Sequence, residues 1–93
     1  DTAATIALVA NALKKAGAGD IYACCTHPVL SGPAIERLDA APLVEIVVTD
    51  TIPLRQPCGT DKVKVLSVAP LIAEAIVRVH EQQSLSKLFE PHV

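Results

Sequence analysis

The sequence predicts an α/β fold, with a mostly parallel sheet flanked by helices. Three observations predict it. Ile21–Thr26 and Val44–Thr49 are short, largely apolar runs bounded by turn residues, the pattern of strands covered on both faces. They alternate with Ala- and Leu-rich segments whose apolar residues recur at helical spacing. Apolar residues make up 51% of the chain, yet there is one Tyr, one Phe and no Trp or Met, so the core must be built from Ala, Val, Ile and Leu.

The elements follow in order. Thr5 to Ala16 carries Ile6, Val9, Leu13 and Ala16 on one helical face. Lys14 and Lys15 suit the negative end of that helix, and Gly17 is a natural stop. Asp20 leads into the first strand, which His27-Pro28 ends. Ser31-Gly32-Pro33 opens a short helix, with Ala34, Ile35 and Leu38 as its buried side and Asp39 to Pro42 as its close. Val44 to Thr49 is the second buried strand, and Asp50-Thr51 stands at its tip. Pro53 to Asp61 reads as a polar loop. Lys62 to Leu66 alternates, as a strand nearer an edge does. Ala69-Pro70 begins a long helix with a Leu71, Ile72, Ala75, Ile76, Val79 stripe, and Gln82-Gln83 ends it. Ser84 to Phe89 is a short capped turn of helix, and Glu90 onward is tail. Right-handed crossovers between the strands give half of a doubly wound sheet.

Size and charge set further bounds. A chain of 93 residues holds one domain at most. Net charge is −2, with acids and bases mixed and no basic patch or aromatic platform, so nucleic acid is not an expected partner. No apolar run reaches the roughly 20 residues of a membrane span, so no membrane partner is expected. Cys24, Cys25 and Cys58 have neither disulfide-framework nor metal-ligand spacing, and read as buried free thiols of a reducing cytosol.

Candidate sites gather at strand tips and helix starts. Asp1-Thr2-Ala3-Ala4-Thr5, leading straight into a helix, fits an N-cap and also the end of a phosphate cradle. Thr26-His27-Pro28 and Thr49-Asp50-Thr51 fall at the C-terminal strand tips, the edge where open α/β sheets bind ligands. Taken singly, His27 reads as a loop imidazole bonded to backbone, and Asp50 as a turn or cap residue. Ser31 and Ser84 read as helix caps, although the helix starts they mark also suit anions.

The residues from Tyr22 to Arg37, Val47 to Leu54, Val65 to Ile76 and Val79 to Phe89, quoted as YACCTHPVLSGPAIER, VVTDTIPL, VLSVAPLIAEAI and VHEQQSLSKLF, resemble the C-terminal domain of the ribose-phosphate pyrophosphokinase family. The likeness is collinear from Asp1 to about Phe89 and looks bacterial, of the phosphate-activated, ADP-inhibited class. It implies a type I phosphoribosyltransferase fold, Rossmann-like, with residues 1–93 a single C-terminal part of such a domain that lacks its N-terminal strands. It implies a cytoplasmic parent, commonly hexameric, that moves the diphosphoryl group of ATP onto ribose 5-phosphate with Mg²⁺. The isolated chain is then expected to be inactive, with no catalytic residue or metal ligand of its own.

By the same resemblance, Asp1, Thr2, Ala3, Ala4 and Thr5 form the second half of the ribose-5-phosphate loop. Ser84, Ser86 and Phe89 belong to an allosteric site for phosphate and ADP shared with other subunits. The loop's first half, the ATP-binding domain and the loop with the catalytic Lys and Arg have no counterpart in the chain. Ala4 stands where the enzyme usually has Gly. A non-catalytic regulatory homologue and a different phosphoribosyltransferase are the rival readings.

Overall fold

The computed structural model describes residues 3–54 and 59–89, and Asp1, Thr2 and Cys58 lie outside them. Three strands, β1 (Tyr22–Cys25), β2 (Glu45–Thr49) and β3 (Val63–Leu66), form one parallel sheet in the order β1-β2-β3. Helices α1 (Ala4–Lys15) and α2 (Ala34–Ala40) precede β1 and β2, α3 (Ala69–His80) follows β3, and a 3₁₀ turn (Ser86–Phe89) closes the described chain. All elements expected from the sequence are present, most with ends shifted by a residue or so.

Register fixes which face is covered. Tyr22 pairs with Glu45 and Ala23 with Ile46, and Ile46 in turn pairs with Val63. Ala23, Cys25, Ile46, Val48 and Val63 therefore share one face. Ile46 and Val48 are completely buried there, together with Ala34 and Leu38 of α2 and nearly all of Ala10 of α1. Alanines at the helix contacts let α1 and α2 lie close to each other and to the sheet. Burying Leu38 is worth about 1.5–3 kcal/mol, and truncating it to Ala would cost about 2–5 kcal/mol once the cavity is included.

The ends of α1 and α3 are closed by Schellman motifs. Gly17 at φ 96° donates to the Lys14 carbonyl, while Ala18 donates to that of Leu13. At the end of α3, Gln82 at φ 58° and Gln83 bond to Val79 and Arg78 in the same way.

The structure corrects four expectations. The first strand is covered on one face only: Tyr22 and Cys24 are exposed, because β1 lies at the sheet border and no described element packs over them. Cys24 is thus not a buried thiol, while Cys25 is half-buried, and burial followed by the neighbouring Cys24 raises its pKa. The apolar stripe of α3 is bare, with Ile76 64% and Val79 63% exposed and no residue of the helix buried. Finally, the Ser31 side chain does not cap α2; Pro33 holds the N-cap position, and only the Ser31 carbonyl takes part, accepting from Ala34. With α3 standing off the sheet, the radius of gyration is 16.6 Å, against about 12 Å for a compact chain of this length. No described helix is long and apolar enough to cross a membrane.

Candidate functional site

Parallel pairing brings the C-terminal tips of β1 and β2 side by side, and Cys25 opposite Val48 sets Thr26 next to Thr49. The chain leaves β1 through two tight turns, Val29 N–H to His27 O and Leu30 N–H to Pro28 O. It leaves β2 through Asp50-Thr51. Between these two exits, residues Pro28–Ser31 and Ile52–Leu54, with Ile35, line a cleft of about 250 Å³.

A hydroxyl cluster ties the tips together. The Thr49 hydroxyl donates to the Thr26 carbonyl, and the Thr51 hydroxyl reaches the same oxygen at 3.1 Å. His27 Nδ1 lies 2.8 Å from Thr51 Oγ1, and the Thr51 N–H reaches Thr49 Oγ1 at 3.3 Å. His27 is therefore bonded to a side chain of the neighbouring strand's tip rather than to backbone.

Asp50 joins the tip of β2 to the start of α3. Its Oδ1 accepts the Val68 N–H at 2.9 Å and its Oδ2 accepts the Ser67 hydroxyl at 2.5 Å. Ser67 Oγ in turn accepts the Ala69 N–H at 3.1 Å. The Ser67 bond, followed by the Val68 bond, holds the Asp50 pKa below the usual aspartate value. Asp50 is thus a cap supplied from a distant part of the sequence.

The start of α1 presents the other candidate. Ala3 is buried and left-handed, at φ 63° and ψ 15°, and Ala4 is the first helical residue. The first backbone bond inside the described helix runs from Ala7 to Ala3, so the N–H groups of Ala4, Thr5 and Ile6 face the helix mouth. Ala4 and Thr5 are exposed. These groups suit an anion and carry the positive end of the helix dipole.

The carboxyl-terminal candidates stand elsewhere. Ser84 Oγ and Ser86 Oγ are 2.7 Å apart, Arg78 Nη1 reaches the Ser84 carbonyl at 3.2 Å, and Phe89 is 73% exposed. These residues cluster at the far end of α3, and among the described residues no hydrogen bond connects them to the strand tips or to the start of α1. Sequence reasoning missed the His27–Thr51 pair and the Asp50–Ser67 cap. Both pairings depend on strand register, which no local pattern carries; the only signal was polar residues at both tips.

The chain matches the family described as phosphoribosyl synthetase-associated domain over residues 1–90. It is 62% identical over 90 residues to a ribose-phosphate pyrophosphokinase of Oceanobacillus iheyensis, a match covering 97% of this chain and 28% of that protein. Against the enzyme of that name from Bacillus subtilis (strain 168), identity is 60% over 89 residues, 96% of this chain and 28% of the relative. Among solved structures, a phosphoribosylpyrophosphate synthetase from Mycobacterium smegmatis is similar with a TM-score of 0.84 and 41% identity, over 88% of this chain and 28% of that one. The chain thus spans less than a third of the length of the relatives it matches.

Proposed function

The chain belongs to the phosphoribosyl synthetase-associated domain family, and from that premise we propose that it is the carboxyl-terminal part of a ribose-phosphate pyrophosphokinase with a type I phosphoribosyltransferase fold. The reaction transfers the diphosphoryl group of ATP to the 1-hydroxyl of ribose 5-phosphate. The observation that carries this reading is the 62% identity over 90 residues, 97% of the chain, a span that takes in the start of α1 and the strand tips together.

Within that reading the chain holds one end of one substrate. The N–H groups of Ala4, Thr5 and Ile6 and the Thr5 hydroxyl take the 5-phosphate of the sugar, with Asp1, Thr2 and Ala3 completing the loop. Transfer of this kind rests on positioning and on neutralising phosphate charge, and a helix mouth supplies both. Ser84, Ser86 and Phe89 belong to a regulatory site for phosphate and ADP in a cytoplasmic homo-oligomer. The reaction uses Mg²⁺, but the described residues gather no group of three His, Cys, Asp or Glu side chains able to hold a metal. Ala4 lies inside the helix, where Ala is favoured over Gly, so it lends no support to a regulatory homologue with a damaged loop.

The test is kinetic. The full-length protein should form phosphoribosyl pyrophosphate from ATP and ribose 5-phosphate, and the 93-residue chain alone should not. In the full-length protein, Ser84→Ala and Ser86→Ala should weaken phosphate activation or ADP inhibition and leave ribose-5-phosphate saturation nearly unchanged. A full-length protein without this activity refutes the reading.

A further inference from the structure

The hydroxyl cluster at the strand tips fixes where the proton of His27 sits. Four polar contacts need a hydrogen: His27 to Thr51, Thr51 to the Thr26 carbonyl, Thr49 to that same carbonyl, and Thr49 to Thr51 at 3.1 Å. Each hydroxyl brings one proton. The Thr26 oxygen has two lone pairs and accepts both threonine hydroxyls, that of Thr49 and that of Thr51. Thr51 Oγ1 then has only lone pairs to offer its neighbours, and His27 Nδ1 must be the donor. This arrangement satisfies three of the four contacts. The opposite one, with Thr51 donating to Nδ1, leaves Thr51 nothing for the carbonyl and satisfies two.

The neutral ring is therefore the Nδ1–H tautomer, and Nε2 carries a lone pair. Nε2 has no hydrogen-bond partner among the described residues, and His27 is exposed at the C-terminal edge of a parallel sheet. A lone pair there repels phosphoryl oxygens and attracts O–H donors. Resting on the reading above, the geometry points to His27 as a substrate-binding residue whose Nε2, held in place by Thr51, accepts a hydrogen bond from a ribose hydroxyl of ribose 5-phosphate. Thr51 is the positioning residue behind it, and the Thr26 carbonyl anchors Thr51 in turn.

Two measurements test this. Long-range ¹H–¹⁵N correlation on the full-length protein, labelled at histidine, at about pH 8 should show a protonated Nδ1 and an unprotonated Nε2 in His27, and Thr51→Val should release the ring to a mixture of tautomers. A His27 protonated at Nε2 in the unmodified protein overturns the proposal. In the full-length protein, His27→Phe should raise the KM for ribose 5-phosphate about ten-fold, the scale of one lost hydrogen bond to a sugar hydroxyl. His27→Gln, which returns an acceptor near the Nε2 position, should restore most of it. The KM for ATP should stay within about two-fold. An unchanged ribose-5-phosphate KM in His27→Phe, or an equal rise for both substrates, overturns the proposal. Failure of the wild-type protein to use ribose 5-phosphate instead refutes the functional reading, and the assigned ligand falls with it.

Discussion

Lys62 Nζ donates to the main-chain oxygen of Asp39 at 2.7 Å, plugging the carboxyl end of α2 from the start of β3. It also reaches the carbonyls of Ala41 at 2.8 Å and Leu38 at 3.4 Å. These are carbonyls at or just beyond the last turn, and an ammonium there also complements the helix dipole. Thr60 strengthens the same junction by donating to Asp39 Oδ1 at 2.7 Å. The loop that returns to the sheet is thereby fastened to the helix it passes.

Lys62→Met keeps the length of the stem and removes the donor. With the ammonium half-buried and its bonds charge-assisted, the loss should be about 1.5–3 kcal/mol of folding stability. A shift of the urea midpoint at constant m-value measures it. Thr60→Val should cost less, about 1 kcal/mol, since one neutral donor leaves an exposed carboxylate that water can serve.

Gln82 offers the opposite case, a stabilising change. It closes α3 in the left-handed region at φ 58°, where a side chain costs about 1 kcal/mol that glycine does not. Gln82→Gly should therefore raise the stability of the last turn by several tenths to about 1 kcal/mol, offset in part by the greater freedom of glycine in the unfolded chain. Far-UV circular dichroism through a thermal transition reads the change. A lower midpoint would show that the Gln82 side chain does more than fill the position.

Much of this fold was legible because its signals are local. Gly17 after Lys14-Lys15 stops a helix whatever surrounds it, and the alternation in Lys62 to Leu66 marks a border strand, which β3 is. The Ile46 and Val48 face of β2 is buried as an apolar run requires. The sequence misleads where a pattern states only that a face is to be covered. Ile21 to Thr26 and the α3 stripe are apolar enough for burial on every side, yet Tyr22, Cys24, Ile72 and Ile76 are exposed, because no described element lies over them. At the candidate site, polar tips were visible in the sequence, but which hydroxyl meets which carbonyl follows from the Cys25–Val48 register, and that is a property of the assembled sheet.

Asp50 makes the mounting of α3 sensitive to acid. Its folded-state pKa is lowered, so the charged form binds the Ser67 hydroxyl and Val68 N–H more strongly than the neutral form does. Stability from a lowered aspartate pKa is fully present above the unfolded value, near pH 4, and is lost as pH falls through the folded value. Acidification below about pH 4 should therefore fray the start of α3. In Asp50→Asn, which keeps an acceptor for Val68 but not for the Ser67 proton, helix content should be lower at neutral pH and its acid-induced loss smaller. Far-UV circular dichroism of both proteins through the acid range checks this, and identical titration curves would show that the cap contributes nothing to α3.

Ala3 and Ala4 separate strain from helix propensity at the proposed phosphate loop. Ala3 carries the left-handed backbone at φ 63°, and Ala4 is the first residue with helical geometry. The cost of a Cβ in the left-handed region, about 1–2 kcal/mol, therefore falls on Ala3 and not on Ala4. Ala3→Gly should relieve that strain but lose the burial of one methyl group, and the two effects offset each other to within about 1 kcal/mol. Ala4→Gly relieves nothing and gives up helix propensity, so it should destabilise α1 by up to about 1 kcal/mol. In the full-length protein, Ala4→Gly should leave the KM for ribose 5-phosphate within about three-fold of wild type, because the N–H groups proposed to hold the phosphate keep their direction. A fall in that KM well beyond three-fold would show that Ala4 holds the loop away from its best geometry, and would place the strain one residue later than the backbone angles do.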